Sequence, residues 1–166
     1  GVNGGFFTPE FQPLGLMIAS GRTTGSFQTS SLLTGAVLQL GDHPYLIWNR
    51  EYQGNAGAGD FLQSGPRLVD SGAPVAGLKA DQGRPRTFVA SNGGFMWVVG
   101  TAESLSLAAL AEIPSTPDVI PDVQVMRALN LDGGRSTALW MKLANGRESS
   151  APGWSTVRNY LAVVPK

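Results

Sequence analysis

Several short stretches set polar side chains beside glycines at the ends of apolar runs, and chemistry could reside there. The most pronounced is Ala128-Leu129-Asn130-Leu131-Asp132-Gly133-Gly134-Arg135-Ser136-Thr137. An apolar strand runs out into an acid, two glycines and hydroxyl residues. Gly133 and Gly134 would let the backbone turn sharply and present its N–H groups to a ligand without Cβ obstruction. Asp132 would then project a carboxylate into a concavity, with Ser136 and Thr137 as hydroxyl donors. The same pattern also describes a hairpin turn in which Asp132 only bonds nearby N–H groups, and periodicity alone favours that turn.

Four further segments share the form. Asn3-Gly4-Gly5-Phe6-Phe7 leads an amide and two glycines into aromatics, and could equally be an Asn-Gly turn with a phenylalanine in the core. Gln63-Ser64-Gly65-Pro66 stops an apolar strand. Arg84-Pro85-Arg86-Thr87 sets two guanidiniums at a strand start, and Arg158-Asn159 repeats that near the carboxyl end. An Arg entering an apolar run needs an anionic partner, although a solvated Arg is the plainer reading of each. A sheet that gathered these strand ends would make one pocket.

Composition restricts what such a pocket can do. There is no cysteine, so disulfides, thiolate metal sites and a Cys nucleophile are excluded. His43 is the single histidine and lies in Gly41-Asp42-His43-Pro44, which reads as a surface turn, so a His-based zinc site is excluded. Any hydrolysis must therefore use carboxylates, amides, hydroxyls and arginines, with no cofactor and no metal motif. Twelve cationic and twelve anionic residues balance, which argues against a nucleic-acid partner. No apolar run is long enough for membrane insertion. The chain begins at Gly1 without an initiator Met, as expected of a processed or trimmed form.

With 166 residues, 42% of them apolar and 14% charged, the chain suits one domain, 1–166. Its 22 glycines and 11 prolines favour short strands and tight turns. Strands are predicted at Phe6 with its preceding residues, Gly15–Ser20, Ala36–Leu40, Tyr45–Asn49, Phe61–Gln63 and Arg86–Ala90. Others are predicted at Phe95–Gly100, Ala128–Leu131, Ala138–Leu143 and Tyr160–Val164. A helix is predicted after a Ser104 N-cap, stopping at Ile113-Pro114, and a shorter one from Thr116. Gly54–Gly59 and Gln82–Pro85 read as loops. The predicted class is α+β: a mixed, mostly antiparallel sheet packed with one or two helices.

The order of the motifs, from Asn-Gly-Gly-Phe-Phe through Gln-Ser-Gly-Pro, Arg-Thr and Leu-Asn-Leu-Asp-Gly-Gly to Arg-x-x-Asn, resembles the phosphodiester glycosidase family over nearly the whole chain. The resemblance implies catalytic roles for Asp132, Arg86 and Asn3. It implies substrate contacts from Gly4, Gly5, Gln63, Ser64, Thr87, Gly133, Gly134, Ser136, Arg158 and Asn159. The implied reaction is hydrolysis of a sugar-1-phosphodiester to free sugar and a phosphomonoester, on a sugar-phosphate or polysaccharide substrate, in a secreted, cell-surface or phage-associated setting. Arg135 stands where the family commonly has a small residue. Family members also usually carry a region before the first motif, so an open amino-terminal sheet edge, covered by a second copy or a partner chain, is expected. Rival readings are a non-catalytic polysaccharide-binding module, a structural surface component, and a glycosidase of ordinary sugar–sugar bonds.

Overall fold

Glycine or proline interrupts each apolar run within a few residues, and the chain accordingly folds as strands of 2 to 9 residues. The computed structural model describes residues 1–54 and 57–164. Within them three antiparallel sheets form. The central one is ordered β10 (Trp97–Leu105), β9 (Arg84–Ser91), β11 (Arg127–Asn130), β7 (Arg67–Asp70) and β8 (Ala73–Pro74). Against it packs a sheet ordered β3 (Arg22–Thr24), β2 (Met17–Ala19), β6 (Ala58–Ser64), β4 (Gly35–Leu40) and β5 (His43–Trp48). A third, small sheet is ordered β13 (Glu148–Ala151), β12 (Leu139–Lys142), β1 (Val2–Asn3) and β14 (Tyr160–Leu161).

Side-chain alternation along the strands divides the core into layers. Val89, Leu129 and Leu131 of the central sheet meet Val37, Leu46 and Trp48 of its neighbour, with Val2 closing one end. On the other face of the central sheet, Ala90, Ala128 and Leu68 lie under Leu110 and Ala111 of α1 (Leu107–Ser115). Leu16, Ile18 and Phe61 form a third cluster, covered by the stacked rings of Phe27 and Tyr52, 3.9 Å apart.

The architecture is mostly β with one helix, and every pairing among the described residues is antiparallel, where a mixed sheet was expected. The helix starts two residues later than predicted. Ser106 caps it by accepting from Ala109 N–H at 3.1 Å, while Ser104 still belongs to β10. Pro114 sits inside its last turn. The second helix does not form, because Asp118 and Asp122 adopt φ of 62° and 61°, outside the helical region. His43 is exposed but begins β5 rather than lying in the turn. Of the predicted Gly54–Gly59 loop, residues 55 and 56 lie outside the described residues, and β6 already starts at Ala58. The amino-terminal strand is no sheet edge: β1 pairs with β12 on one side and β14 on the other.

Candidate active site

The end of β11 delivers the acid. Pairing of β11 with β9 sets Asn130 opposite Phe88, and Leu131 N–H donates to Thr87 O at 2.8 Å. Two residues further on, the same register brings Asp132 level with Arg86. Gly133 then packs so tightly that a Cβ on it would lie 2.8 Å from Pro85 O, which is why no larger residue fits there. The backbone turns through a short 3-10 segment, Gly134–Ser136, and the Asp132 carboxylate accepts from Gly133 N–H at 2.8 Å.

The amino-terminal motif meets this turn from the small sheet. Asn3 is buried and bonded at both ends of its amide. Nδ2 donates to Asp132 O at 2.6 Å, while Oδ1 accepts from Thr87 Oγ1 at 2.6 Å and from Ala138 N–H at 3.0 Å. Asp132 N–H returns a bond to Gly4 O at 2.9 Å. Asn159 clamps the other side, accepting Gly5 N–H on Oδ1 at 2.7 Å and Gly4 N–H on its backbone O at 3.0 Å. A Cβ on Gly4 would run into Asn159 Oδ1, so this approach requires glycine. Residues 3, 4, 5, 87, 132, 133, 136 and 159 are therefore one cluster.

Burial raises the Asp132 carboxyl above its ordinary 3.8, and hydrogen bonds from Ser136 and Gly133 N–H only partly counter this. Burial likewise lowers the Arg86 guanidinium, helped by the charge of Arg84. Arg86 Nε donates to Leu105 O at 3.0 Å, and no ion pair joins Arg86 to Asp132 among the described residues. Arg158 is exposed beside Asn159, and Arg135 is exposed on the 3-10 turn. Among the described residues, four buried side-chain atoms have no protein partner: Ser64 Oγ, Asn130 Oδ1, Thr137 Oγ1 and Asn159 Nδ2. All four belong to the site's motifs. A buried polar atom without a partner marks where a ligand or water is accommodated.

Two expectations change. Asn3 was expected to act on substrate; in the structure its Oδ1 is taken by Thr87 and Ala138 and one Nδ2 hydrogen by Asp132 O, which ties it to the backbone of the acid. Gln63 was expected to touch substrate, yet its side chain points into the loops beyond β6. Oε1 accepts from Leu16 N–H (3.2 Å) and Gln28 N–H (3.0 Å), and Nε2 donates to Gln28 O (2.7 Å) and Asn49 Oδ1 (3.3 Å). Only the Gln63 backbone reaches the site, under Gly5. Asn130 was not expected among the site residues, whereas Thr137 was expected as a hydroxyl donor beside Asp132. An amide inside the otherwise apolar Ala128–Leu131 was the signal for the first. Among the described residues, no three His, Cys, Asp or Glu side chains gather into a cation cage.

The fold matches the catalytic domain of zebrafish N-acetylglucosamine-1-phosphodiester alpha-N-acetylglucosaminidase, auto-inhibited by pro-peptide, with a TM-score of 0.64 at 20% identity. That match covers 98% of this chain and 60% of the zebrafish chain, so the present chain spans less than two thirds of that domain's length. A hypothetical protein from Synechocystis aligns with a TM-score of 0.46 at 15% identity, over 82% of this chain and 46% of that one. No curated protein matches in sequence. The family model for phosphodiester glycosidase matches residues 1–164. The chain belongs to the phosphodiester glycosidase family.

Proposed function

We propose that this chain hydrolyses a sugar-1-phosphodiester at Asp132. The observation that carries the reading is the convergence of Asn3, Thr87 and Asn159, from distant parts of the chain, on the Gly4–Gly5 and Asp132 backbones, with Ser136 bonded to the Asp132 carboxylate itself. In the reaction the bond between C1 and the phosphate oxygen breaks, and its electron pair leaves with the phosphomonoester. Water supplies hydroxide to C1, and its proton passes to the released phosphate or to solvent. The sugar carbon gains oxocarbenium character, which Asp132 stabilises as nucleophile or by its field. A phosphate ester leaves readily, so little general-acid assistance is required. Arg86, with Arg158 second, neutralises the phosphate oxygens.

Several features support these roles. Ser136 and Gly133 N–H hold the carboxylate in place as an acceptor. Arg86, Arg135 and Arg158 form none of the ion pairs found among the described residues, so their charges are uncompensated by acids, although Arg86 spends Nε on Leu105 O and one terminal nitrogen on Gln82 O. The test is incubation with UDP-N-acetylglucosamine and assay of free sugar. Wild-type protein should release N-acetylglucosamine, and Arg86→Ala should lower kcat/KM by about ten- to hundredfold, the loss of hydrogen bonds to a charged group. Turnover unchanged in both Asp132→Asn and Arg86→Ala would overturn the assignment.

A further inference from the structure

The loop of residues 152–159 joins β13 to β14 and is tied to the candidate active site at both ends. At one end Trp154 N–H donates to Arg135 O at 2.8 Å. Gly153 lies so close that a Cβ on it would stand 3.2 Å from the carbonyl oxygens of Arg135 and Ser136. These carbonyls belong to the Gly134–Ser136 turn, whose Ser136 bonds the Asp132 carboxylate. At the other end Asn159 holds the N–H groups of Gly4 and Gly5, and Gly4 O accepts from Asp132 N–H. The loop therefore runs along the rim of the cluster, anchored on either side of Asp132.

The largest side chain of this loop is left to water: Trp154 is 84% exposed. Tryptophan is highly buried on average, and this indole adds little to the core although its backbone is fixed by Arg135. Beside it stands a surplus of charge. Arg135 is exposed, and among the described residues Arg86, Arg135 and Arg158 pair with no acid. A simple phosphodiester would bring one negative charge to three guanidiniums, whereas a diphosphate diester would bring two. Arg135 is three residues from Asp132, so their Cα atoms are at most about 11 Å apart, a span that a diphosphate and its ribose can bridge.

We infer that Trp154 and Arg135 form a subsite for the leaving group that selects a nucleoside diphosphate. The base stacks on the indole face, and Arg135 takes the phosphate remote from the sugar. The C1–O bond breaks and its electron pair leaves with the nucleoside diphosphate. Water supplies hydroxide to C1, and the remaining proton passes to the diphosphate or to solvent. The position of the sugar at Asp132 rests on the hydrolytic reading above; the contacts to the base and the second phosphate do not.

Two measurements test the subsite. In the first, sugar release is compared for the methyl and benzyl phosphodiesters of N-acetylglucosamine 1-phosphate and for UDP-N-acetylglucosamine. Wild-type kcat/KM should rise in that order, the two simple esters differing by a ring and not by charge. Trp154→Ala should cut the preference for the UDP donor over the methyl ester about five- to fiftyfold, and Trp154→Phe should restore most of it. Arg135→Ala should instead lower the preference for the UDP donor over the benzyl ester. The second measurement is calorimetric titration with UDP, which needs no turnover. Trp154→Ala should weaken binding by a similar factor at the wild-type melting temperature, because the exposed ring can be removed without touching the N–H bond to Arg135. Equal kcat/KM for the methyl and UDP donors, no binding of UDP, or UDP affinity unchanged in Trp154→Ala would overturn the subsite, and sugar release lost in Asp132→Asn would then still support hydrolysis. UDP held through Trp154 by a protein that releases no sugar from any donor would support the subsite and remove only the hydrolytic role of Asp132.

Discussion

Around Trp48 the chain places acids and arginines in direct contact, whereas around Asn3 it keeps them apart. Arg127 grips Glu51 in a fork, at 2.7 and 2.8 Å, and Arg50 and Arg67 both reach Asp70 at 3.1 Å. Trp48 lies between them. Its indole N–H donates to Asp70 at 2.9 Å, and the guanidiniums of Arg67 and Arg127 sit 5.5 and 5.2 Å from its ring centre. Burial would raise both carboxyls there, yet the hydrogen bonds and arginine charges outweigh it and hold Glu51 and Asp70 below their ordinary values. At Asp132 burial wins, and among the described residues Arg86, Arg135 and Arg158 pair with no acid. The first region spends its charges on itself and is structural. The second leaves charge uncompensated, the arrangement that the proposed anionic substrate calls for.

The largest effect that would sharpen this contrast is Asp132→Asn. Free-sugar release should fall at least about a thousandfold, with no loss of melting temperature, because the change removes a buried charge that the fold does not need. Next comes Asn3→Ala, which strands Thr87 Oγ1, Ala138 N–H and Asp132 O in a buried setting. It should cost about 2–4 kcal/mol in denaturant unfolding and also reduce turnover. A variant with full stability and full activity would show that Asn3 does not position the acid.

The legible part of the site was the part that glycine enforces. Gly4 and Gly133 are required because Asn159 Oδ1 and Pro85 O stand where a Cβ would be, so the sequence could not hide those contacts. Gln63 carried the same surface pattern, a polar residue before glycine, but its partners Gln28 and Asn49 lie on a loop and a one-turn 3-10 segment, neither with a periodicity to read. The long apolar strands were legible as well, while β3 and β13 were not. Arg22–Thr24 and Glu148–Ala151 are largely exposed and are strands only because a neighbour pairs with them. The Trp48 cluster escaped for a different reason. Its residues come from positions 48–51, 67–70 and 127, and no local pattern marks Arg127 as the partner of Glu51, 76 residues away.

Smaller effects probe the structural region. Arg127→Met should cost about 1–2 kcal/mol by chemical unfolding, less than for a fully buried pair because water reaches both partners, and sugar release should stay within about twofold of wild type. A loss of turnover without loss of stability would erase the division between the two regions.

The smallest expected signal is a difference in sign. Glu51 and Asp70 have lowered carboxyls in the folded state, so their contribution is complete above the ordinary values of 4.5 and 3.8 and is lost as pH falls through the folded values. Asp132 is raised, so between 3.8 and its folded value the native state binds more protons than the unfolded chain. Its effect on stability is therefore unfavourable as pH rises through that window and remains at full cost above it. Unfolding free energy followed from acid to neutral pH should rise less steeply in Arg127→Met, which weakens the hold on Glu51. It should rise more steeply in Asp132→Asn, which removes the opposing group. Parallel curves for Asp132→Asn and wild type would mean that Asp132 titrates alike in folded and unfolded chains, and the electrostatic distinction between the two regions would fail.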